Sequence, residues 1–507
     1  MRLLSLSLVA GILISTARPA STTTTELTGF HPCDALIAAG LSSRLLHPTD
    51  AAYEPRIQSY WALNTRQHPY CIFQPHTAGE VSIAVSTLFA ENSTGAGDWH
   101  LAIRAGGHNL RYANNIDNGV TIDLLYLNQT RYDKQTNVAS LGPGSKWQDV
   151  YAELHKYGAI ATGGRDGDVG VGGFLLGGGS TYYMASQGFA CDSIVNYEVV
   201  LVNGSIANAN KHENADLWKA LKGGGSNFGI VTRFDLEALP DTKIARGERA
   251  ISAQYTGQFM DAIVGFTEQQ QRGDADALVA ILMHTEGEDV LATIEVNTEG
   301  VENSTAFKSF NQLPQITPFN QSVEYLYEAA LDSRLDGGAW VAQTTLTFKN
   351  DKRMLNHAAA IHSKFASSLE ILIGKESFTS LIFFQPLPSL YADISADKGG
   401  NLFAHTLDAG NAILWTGGVV VNTNETDLMV ASAKMHEMVA ELEEYSQKTG
   451  NDNPLVYMNY ADFSQDPLGS YGEESVDFMK RVARKYDPQG RFQKMVPGGF
   501  KIARVHN

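Results

Sequence analysis

Residues 163–179 read GGRDGDVGVGGFLLGGG, and this stretch is the most informative part of the chain for predicting its architecture. Nine of these seventeen residues are glycine, whereas average usage of about 7% predicts about one. Because glycine has no Cβ, another molecule can lie against the main-chain N–H groups, as a phosphate-bearing cofactor requires. A flexible linker is the alternative, but linkers use polar spacers, and Val169, Val171 and residues 174–176 are large and apolar. The stretch therefore predicts a nucleotide-cofactor site.

Composition limits the classes of partner. The chain has 507 residues, of which 43% are hydrophobic and 18% charged, which predicts a globular protein of two to four domains. The formal net charge of −17, without a cluster of lysine and arginine, argues against nucleic acid and anionic membranes. A small-molecule substrate is the expected partner.

The N-terminus and the sequons indicate export. Residues 1–20 have a basic start, an apolar stretch and a small-residue end, which is the pattern of a cleaved secretory signal. No later run is long enough to span a bilayer. A secreted glycoprotein is therefore expected, with N-glycosylation at the six Asn-x-Ser/Thr sites Asn92, Asn128, Asn203, Asn303, Asn320 and Asn424.

Three cysteines are present. In an oxidising compartment, a disulfide between Cys33 and Cys71 would clamp the start of the mature chain and leave Cys191 alone. Sequence does not fix this connectivity. Cys191 is interpreted as a small buried hydrophobic residue.

Periodicity predicts mixed secondary structure. The segment Ser145–Gln148 has capping-box spacing and predicts the start of a helix whose buried face carries Trp147, Val150, Tyr151 and Leu154. The Asn203-Gly204 turn predicts a hairpin over 194–209. Other predicted strands span 101–105, 120–124, 229–236, 340–348 and 413–421, and other predicted helices span 215–222, 432–445 and 473–486.

Several familiar motifs are missing. The residue three positions after Gly172 is Leu175, so the glycine stretch does not supply Gly-x-Gly-x-x-Gly for a nicotinamide cofactor. A Walker P-loop, a Gly-x-Ser-x-Gly elbow and a His-Glu-x-x-His motif are also absent from the sequence. Serine-hydrolase and zinc-protease functions are therefore unsupported.

The segment 104–109 reads RAGGHN at the end of a predicted strand. With the glycine stretch and residues 119–124, 191–194, 223–231, 459–460 and 492–500, it resembles the secreted berberine bridge enzyme-like oxidoreductases of the vanillyl-alcohol oxidase superfamily. The resemblance implies an α+β fold with a two-subdomain, PCMH-type FAD-binding domain over 67–240. It further implies a substrate domain over 241–455, with an antiparallel sheet covered by helices, and a C-terminal segment over 456–507 that returns to the flavin.

The resemblance also implies cofactor contacts. In such enzymes the histidine of the Gly-Gly-His loop is bonded through its ring to the flavin 8α-methyl group, so His108 is the expected covalent anchor, although a lone histidine is more often structural. Arg104, Ala105, Gly106 and Gly107 would hold the pyrophosphate mainly through main-chain N–H groups. The other expected FAD contacts are Gly164, Val169, Gly170, Gly173, Gly178, Ile194, Ile230 and Asn459.

Two residues of the glycine stretch refine this expectation. Many relatives carry a second, cysteinyl flavin link where this chain has Asp166, and a carboxylate cannot form that thioether. FAD attached through His108 alone is therefore expected. Val169 matches the position where relatives admit or block oxygen, and valine resembles the admitting form, which favours an oxidase.

Catalysis requires a base that accepts the substrate proton. Members of the family use a tyrosine of the Tyr-x-Asn-Tyr motif as base or substrate ligand, so Tyr460 is the expected base and Tyr457 the second candidate. An unperturbed tyrosine titrates near pH 10, and the base would therefore need a positive or basic neighbour. The alternative for either residue is aromatic packing in the core. Tyr182 and Tyr183 are further candidates for the pocket wall, but they are not assigned to the site.

The resulting hypothesis is a secreted, monomeric FAD-dependent oxidase that oxidises an alcohol or related C–H bond of a specialised metabolite. Electrons would pass to O2 and yield H2O2. A carbohydrate oxidase is the alternative within this class, and it would need an open groove with aromatic platforms instead of a closed apolar pocket. Oxidation coupled to ring closure and a non-catalytic flavin-bearing protein are also left open.

Overall fold

The computed structural model describes residues 27–92, 98–110 and 113–505, and these residues form three β-sheets with surrounding helices. The predicted signal sequence and the side chain of Asn92 lie outside the described part. The helices are α1 (His31–Leu36), α2 (Tyr53–Gln58), α3 (Ala78–Asn92), α4 (Trp147–His155), α5 (Val171–Leu176), α6 (Met184–Gln187), α7 (Ala215–Leu221), α8 (Thr256–Gln269), α9 (Lys308–Asn311), α10 (Leu326–Asp332), α11 (Lys352–Ile373), α12 (Leu390–Asp397), α13 (Glu425–Thr449), α14 (Glu473–Tyr486) and α15 (Arg491–Met495).

The first sheet has the strand order β1-β2-β4-β3, and its β2, β4 and β3 strands run parallel. Parallel strands need cover on both faces, and β4 is buried along its whole length. The predicted disulfide is confirmed: Cys33 of α1 is bonded to Cys71 of β2. Cys191 is free and buried. The strands are β1 (Leu45–Leu46), β2 (Cys71–Phe73), β3 (His100–Arg104) and β4 (Gly119–Asp123).

The second sheet is antiparallel, in the order β5-β6-β10-β8-β9, with β7 paired to β10. The hairpin predicted around Asn203 and Gly204 is present as β8 and β9. The strands are β5 (Thr130–Asp133), β6 (Val138–Leu141), β7 (Ala159–Ala161), β8 (Ile194–Val200), β9 (Ile206–Asn210) and β10 (Ile230–Pro240).

The predicted capping box at Ser145 is wrong, although the helix and its buried face are confirmed. Helix α4 begins after Lys146, and the Ser145 hydroxyl is buried without a partner. The carbonyl of Ser145 accepts from the amide of Val171, and Lys146 pairs with Gly170 in an isolated bridge. Residues 145–146 are therefore held extended against the glycine stretch, so Ser145 cannot cap α4.

The third sheet is antiparallel, in the order β14-β11-β13-β12-β16-β17-β15-β18, and α8, α11 and α13 pack on one of its faces. This arrangement confirms the expected α+β fold with an antiparallel sheet covered by helices. Helix α13 begins seven residues before the predicted start because Asn424 caps it by accepting from the amide of Asp427. The strands are β11 (Ile244–Ser252), β12 (Asp276–Thr285), β13 (Glu288–Asn297), β14 (Asn320–Glu324), β15 (Trp340–Lys349), β16 (Phe378–Leu387), β17 (Ala412–Val421) and β18 (Asp452–Asn453).

The loop after β3 crosses the glycine stretch with direct backbone contact. A Cβ placed on Gly106 would lie 2.5 Å from the Cα of Gly170, and a Cβ on Gly170 would lie 2.5 Å from the Cα of Gly106. Real Cβ atoms do not approach so closely, so both positions require glycine. The first sheet and the glycine stretch are joined at this crossing.

Replacing Gly170 with alanine tests the crossing. The new methyl group would meet main-chain atoms on the facing loop, so Gly170→Ala is expected to lower the free energy of unfolding by about 1–3 kcal/mol. Gly265→Ala is the matched control, because a Cβ there meets no atom within 4 Å and alanine favours the α8 helix. Chemical unfolding of the two variants measures the difference, and equal midpoints would contradict the close contact.

Candidate cofactor and active site

The crossing fixes the loop that carries His108, and Arg104 supports this loop from inside the protein. The buried guanidinium of Arg104 lies 3.5 Å from the ring centroid of Tyr60 and donates to the Ser59 hydroxyl at 2.9 Å. A Cβ on Gly107 would lie 2.8 Å from the guanidinium. The Arg104 side chain is thus used inside the protein, which leaves the main chain of the loop as the surface that a ligand can meet. Among the described residues, no group accepts from the amides of Gly106 and Gly107.

The His108 ring is partly buried, and its buried Nε2 nitrogen is orphaned. It stacks on the indole of Trp61 with ring centroids 4.5 Å apart and 16° between the planes. Its Nε2 has no hydrogen-bond partner and lies 3.9 Å from a carboxylate oxygen of Asp166. Burial lowers the pKa of His108, against the opposing effect of Asp166. A neutral imidazole with a free nitrogen is able to bind or bond to another molecule.

Asp166 lies at the same place but is held by main-chain donors. Its carboxylate accepts from the amide of Asp168 at 2.7 Å and from that of Leu335 at 3.1 Å. Burial raises the pKa of Asp166, and the hydrogen bond from Asp168 opposes this effect. The side chain therefore presents a fixed acidic group where a thiol would be needed for a second flavin link.

Further buried polar atoms without partners occur beside the glycine stretch. The ring of Trp147 packs so closely on Gly163 that a Cβ there would lie 2.2 Å from it, yet the indole Nε1 of Trp147 is unpaired. Buried polar groups are normally satisfied, so a cluster of orphans indicates a missing polar ligand. The orphans beside the stretch, Ser145 Oγ, Trp147 Nε1 and His108 Nε2, together with the bare glycine backbone, fit FAD.

Arg165, which the sequence analysis did not single out, is the partner of Tyr460. Its guanidinium donates to the Tyr460 hydroxyl oxygen at 2.8 Å and to the Gln385 side-chain oxygen at 2.6 Å. Burial by itself lowers the pKa of Arg165, but the phenol groups of Tyr460 and Tyr182 outweigh it and the pKa is raised. The only signal in the sequence was a cation within a run of glycines. Arg165 supplies the positive neighbour that a tyrosine base requires.

The two tyrosines of the Tyr-x-Asn-Tyr motif occupy different environments. Tyr457 is buried among aromatic rings such as Phe189 and Phe403, and its hydroxyl has no partner. Burial raises the pKa of Tyr457 well above its ordinary value. The ring of Tyr460 meets that of Tyr457 edge-on at 5.1 Å, but only Tyr460 contacts a cation. The geometry therefore favours Tyr460 as the residue that exchanges a proton.

The structure brings Asn459 and Gly178 to the glycine stretch. The Asn459 amide donates to the carbonyl of Phe174 at 2.9 Å, and its side-chain oxygen fills the space where a Cβ of Gly177 would lie. A Cβ on Gly178 would lie 2.7 Å from the Phe403 ring. Asn459 thus anchors α5 within the protein, and its contact with the flavin stays a prediction.

The remaining predicted cofactor contacts lie in several places. The carbonyls of Gly164 and Val169 accept from the Tyr151 hydroxyl and the Trp147 amide. Gly173 is exposed, and a Cβ there would meet no atom within 4 Å. The buried side chains of Ile194 and Ile230 begin the paired strands β8 and β10. The methyl group of Ala105 would lie 3.0 Å from a Cβ on Gly172.

A cavity of about 230 Å³ opens next to the His108 loop and the Tyr-x-Asn-Tyr motif. Its wall includes Asn109, which follows His108, and Ala461, which follows Tyr460. Apolar and polar side chains share the wall. The larger apolar ones are Leu110, Val341, Leu428, Met429, Phe463 and Phe500, and the polar ones include Gln343, Glu425 and His436. Within the described ranges, no group of three or more His, Cys, Asp or Glu side chains is placed to hold a metal ion. None of the described helices combines the length and apolar character needed to cross a membrane.

Solved structures resemble this fold along nearly the whole chain. Glucooligosaccharide oxidase from Acremonium strictum matches with a TM-score of 0.75 at 17% identity, covering 94% of this chain and 99% of that chain. Berberine bridge enzyme from Eschscholzia californica matches with a TM-score of 0.71 at 17% identity, covering 92% and 99%. At such low identity these two matches establish the fold alone.

Sequence relatives establish the family. The FAD-dependent monooxygenase drtC of Aspergillus calidoustus is 34% identical over 480 residues, covering 93% of this chain and 90% of that protein. The bifunctional solanapyrone synthase of Alternaria solani is 31% identical over 488 residues, covering 94% and 90%. Residues 69–210 match the family described as FAD binding domain. The chain therefore belongs to the berberine bridge enzyme-like family and is an FAD-dependent oxidoreductase.

Proposed function

We propose that the protein is a secreted oxidase that binds FAD covalently through His108 alone and oxidises an alcohol or related C–H bond of a specialised metabolite, with O2 as the electron acceptor. The observation that carries this proposal is the partly buried contact between Arg165 and Tyr460, whose side-chain nitrogen and oxygen lie 2.8 Å apart. When bound, FAD supplies the acceptor for two electrons from the substrate.

Tyr460 accepts the substrate proton in this proposal. Arg165 has only donor hydrogens, so the Tyr460 oxygen accepts from it and the phenol proton points away from the guanidinium. The positive charge of Arg165 stabilises the negative oxygen of Tyr460, which is the form that takes a proton from an alcohol. Gln385 fixes the guanidinium by accepting from it, so the charge does not have to reorganise during the reaction.

His108 is suited to a single covalent attachment. Its orphaned Nε2 is buried, and its ring is oriented by stacking on Trp61. Asp166, 3.9 Å away, accepts hydrogen bonds but offers no sulfur for a second bond. A flavin tether is useful to a secreted enzyme because a cofactor lost outside the cell is not recovered.

The cavity favours a specialised metabolite over an oligosaccharide. Sugar sites need aromatic platforms, whereas Phe463 and Phe500 are the only Phe, Tyr or Trp residues among the described residues on this wall. The relative from Alternaria solani is named a solanapyrone synthase, which agrees with metabolite chemistry. Carbohydrate oxidation and a non-catalytic flavoprotein are outcomes that the substrate tests below distinguish.

Export is part of the same proposal. The buried Cys33–Cys71 disulfide suits an oxidising compartment. The asparagines of the five sequons outside α3 are exposed, namely Asn128, Asn203, Asn303, Asn320 and Asn424. We retain the division into segments 67–240, 241–455 and 456–507, and the monomeric state, as parts of this proposal.

The proposal that O2 is the electron acceptor is tested by following where its oxygen atoms go. Several relatives are named monooxygenases, and a monooxygenase would insert an oxygen atom from O2 into the product. For an oxidase, we expect purified yellow protein to bleach anaerobically with its substrate, to release H2O2 in air and to leave no oxygen-18 from labelled O2 in the product. Labelled product, or a requirement for a reduced nicotinamide, would contradict the oxidase. Colourless protein would contradict the cofactor assignment.

Replacing His108 tests the tether. His108→Ala is expected to release all flavin into the supernatant after acid precipitation, because the variant lacks the imidazole that would form the bond, whereas wild-type flavin remains in the pellet. His68→Ala is the matched control, since His68 is exposed and lies far along the chain from the glycine stretch. Flavin fluorescence of both fractions is the measurement. Covalent flavin in His108→Ala would refute the anchor.

The Tyr460 hydroxyl is tested against that of Tyr457. Tyr460→Phe removes the oxygen that contacts Arg165 and is expected to slow anaerobic flavin reduction at least about tenfold. Tyr457→Phe is the control within the same motif, because its hydroxyl has no partner, and it is expected to change the rate far less. Stopped-flow absorbance measures both rates. A larger loss in Tyr457→Phe would reverse the assignment.

A further inference from the structure

The face of the eight-stranded sheet opposite the one covered by α8, α11 and α13 is called the open face here. Successive side chains of a strand point to opposite faces of the sheet. Helices α8, α11 and α13 cover the face that carries Trp415 and Val419 of β17. Gly418 therefore lies on the open face. The strand register places it opposite Leu381 of β16 and Gln343 of β15. Apolar neighbours on the same face, all only partly buried, are Ile281, Met283, Leu381 and Phe383.

The open face is continuous with the candidate active site. Gln385, two residues from Phe383 on β16, accepts from Arg165, which in turn holds Tyr460. Gln343 donates to the carbonyl of Asn459 at 3.5 Å. Two glutamines of the open face thus contact the residues that surround the reacting position, and the apolar side chains lie next to them.

Gly418 has no reason within the protein to be glycine. Its φ is not in the left-handed region, and a Cβ there would meet nothing nearer than the Leu381 carbonyl oxygen at 4.0 Å. The adjacent Gly417 differs, because a Cβ there would lie 2.8 Å from the Trp415 ring and 3.3 Å from Met438. Glycine weakens a strand interior and marks places where a ligand approaches the backbone closely.

An unpaired hydroxyl group lies near the open space beside Gly418. Thr416 lies two residues before Gly418 on the same face, and its hydroxyl is buried without a partner. Orphaned hydroxyls are rare in protein interiors. A ligand with an oxygen atom at one edge would satisfy Thr416 while its apolar body covers Gly418.

We propose that Gly418 determines specificity by admitting a flat, mainly apolar ring system that lies against Leu381 and Phe383. This inference rests on the proposed function, since it names the substrate class of the same site. An oligosaccharide is disfavoured there, because hydroxyl groups that lie over Leu381 and Phe383 would be buried against apolar side chains without partners. The expected substrate is a polycyclic alcohol with few oxygen atoms.

The test measures binding separately from turnover. The probes are 9-anthracenemethanol, followed by its own fluorescence anisotropy, with benzyl alcohol and cellobiose as competitors against the holoenzyme. Because two additional rings are buried, the wild type is expected to bind 9-anthracenemethanol at least about tenfold more tightly than benzyl alcohol, and cellobiose is not expected to compete.

The variants assign this preference to one position. Gly418→Val is expected to lose the tenfold preference and to keep its affinity for benzyl alcohol. Gly418→Ala adds only one methyl group, and its affinity for 9-anthracenemethanol is expected to fall about threefold. This smaller variant keeps the test decisive if Gly418→Val fails to fold. Gly257→Val is the control, because Gly257 also has no atom within 4 Å of an added Cβ but lies on α8.

Each outcome bears on the inference. Unchanged binding of 9-anthracenemethanol to Gly418→Val and Gly418→Ala would overturn it, as would competition by cellobiose or failure of the wild type to bind the probe. If the size-dependent loss occurs in a protein that never reduces its flavin, the inference stands and the proposed oxidase fails. The two proposals can therefore fail separately.

Discussion

The contact between the backbones of Gly106 and Gly170 is the constraint on which the rest of the site depends. It allows the loop after β3 and the glycine stretch to occupy the same small region, where a single methyl group on either chain would force them apart. The crossing explains why His108, which follows the first sheet, lies 3.9 Å from Asp166, which follows β7 of the second sheet. The same packing holds residues 145–146 extended and determines where α4 begins. A contact of bare backbone thus positions the side chains that carry the chemistry.

The neighbouring residues Arg165 and Asp166 connect this crossing to two different parts of the molecule. Asp166 faces the His108 loop, and Arg165 reaches Tyr460 and Gln385, so the glycine stretch is linked to all three sheets. Among the described residues, the hydrogen-bond partners of the Arg165 side chain are a phenol and an amide, and neither carries a formal charge. A partly buried charge without a counter-ion is costly, and such a charge is useful where a negative charge develops in a reaction. Arg165 is therefore explained by catalysis better than by stability.

Sequence patterns predicted the elements whose signals are local. Helix α14 has the predicted bounds, the β8–β9 hairpin follows its Asn-Gly turn, and the disulfide joins the two predicted cysteines, Cys33 and Cys71. The Ser145 capping box failed because a long-range backbone pairing overrides a local propensity. Arg165 escaped detection because its role depends on Tyr460, 295 positions away. The difference between Tyr457 and Tyr460 is likewise tertiary, since both belong to one motif and only burial and a cation separate them.

The surroundings of a Cβ placed on each glycine distinguish two groups of glycines in this protein. In one group packing of the protein itself requires glycine, and in the other a ligand would explain it. At Gly106, Gly170 and Gly417 the obstacle is another part of the protein, so packing accounts for the residue. Open space alone decides nothing, because Gly257 and Gly265 on α8 also have it. Gly418 differs from these two in being flanked by an orphaned hydroxyl, partly exposed apolar side chains and glutamines that contact the active site. These independent features agree, and we therefore assign the space left by the missing side chain of Gly418 to the proposed substrate site. There it would select substrates by size.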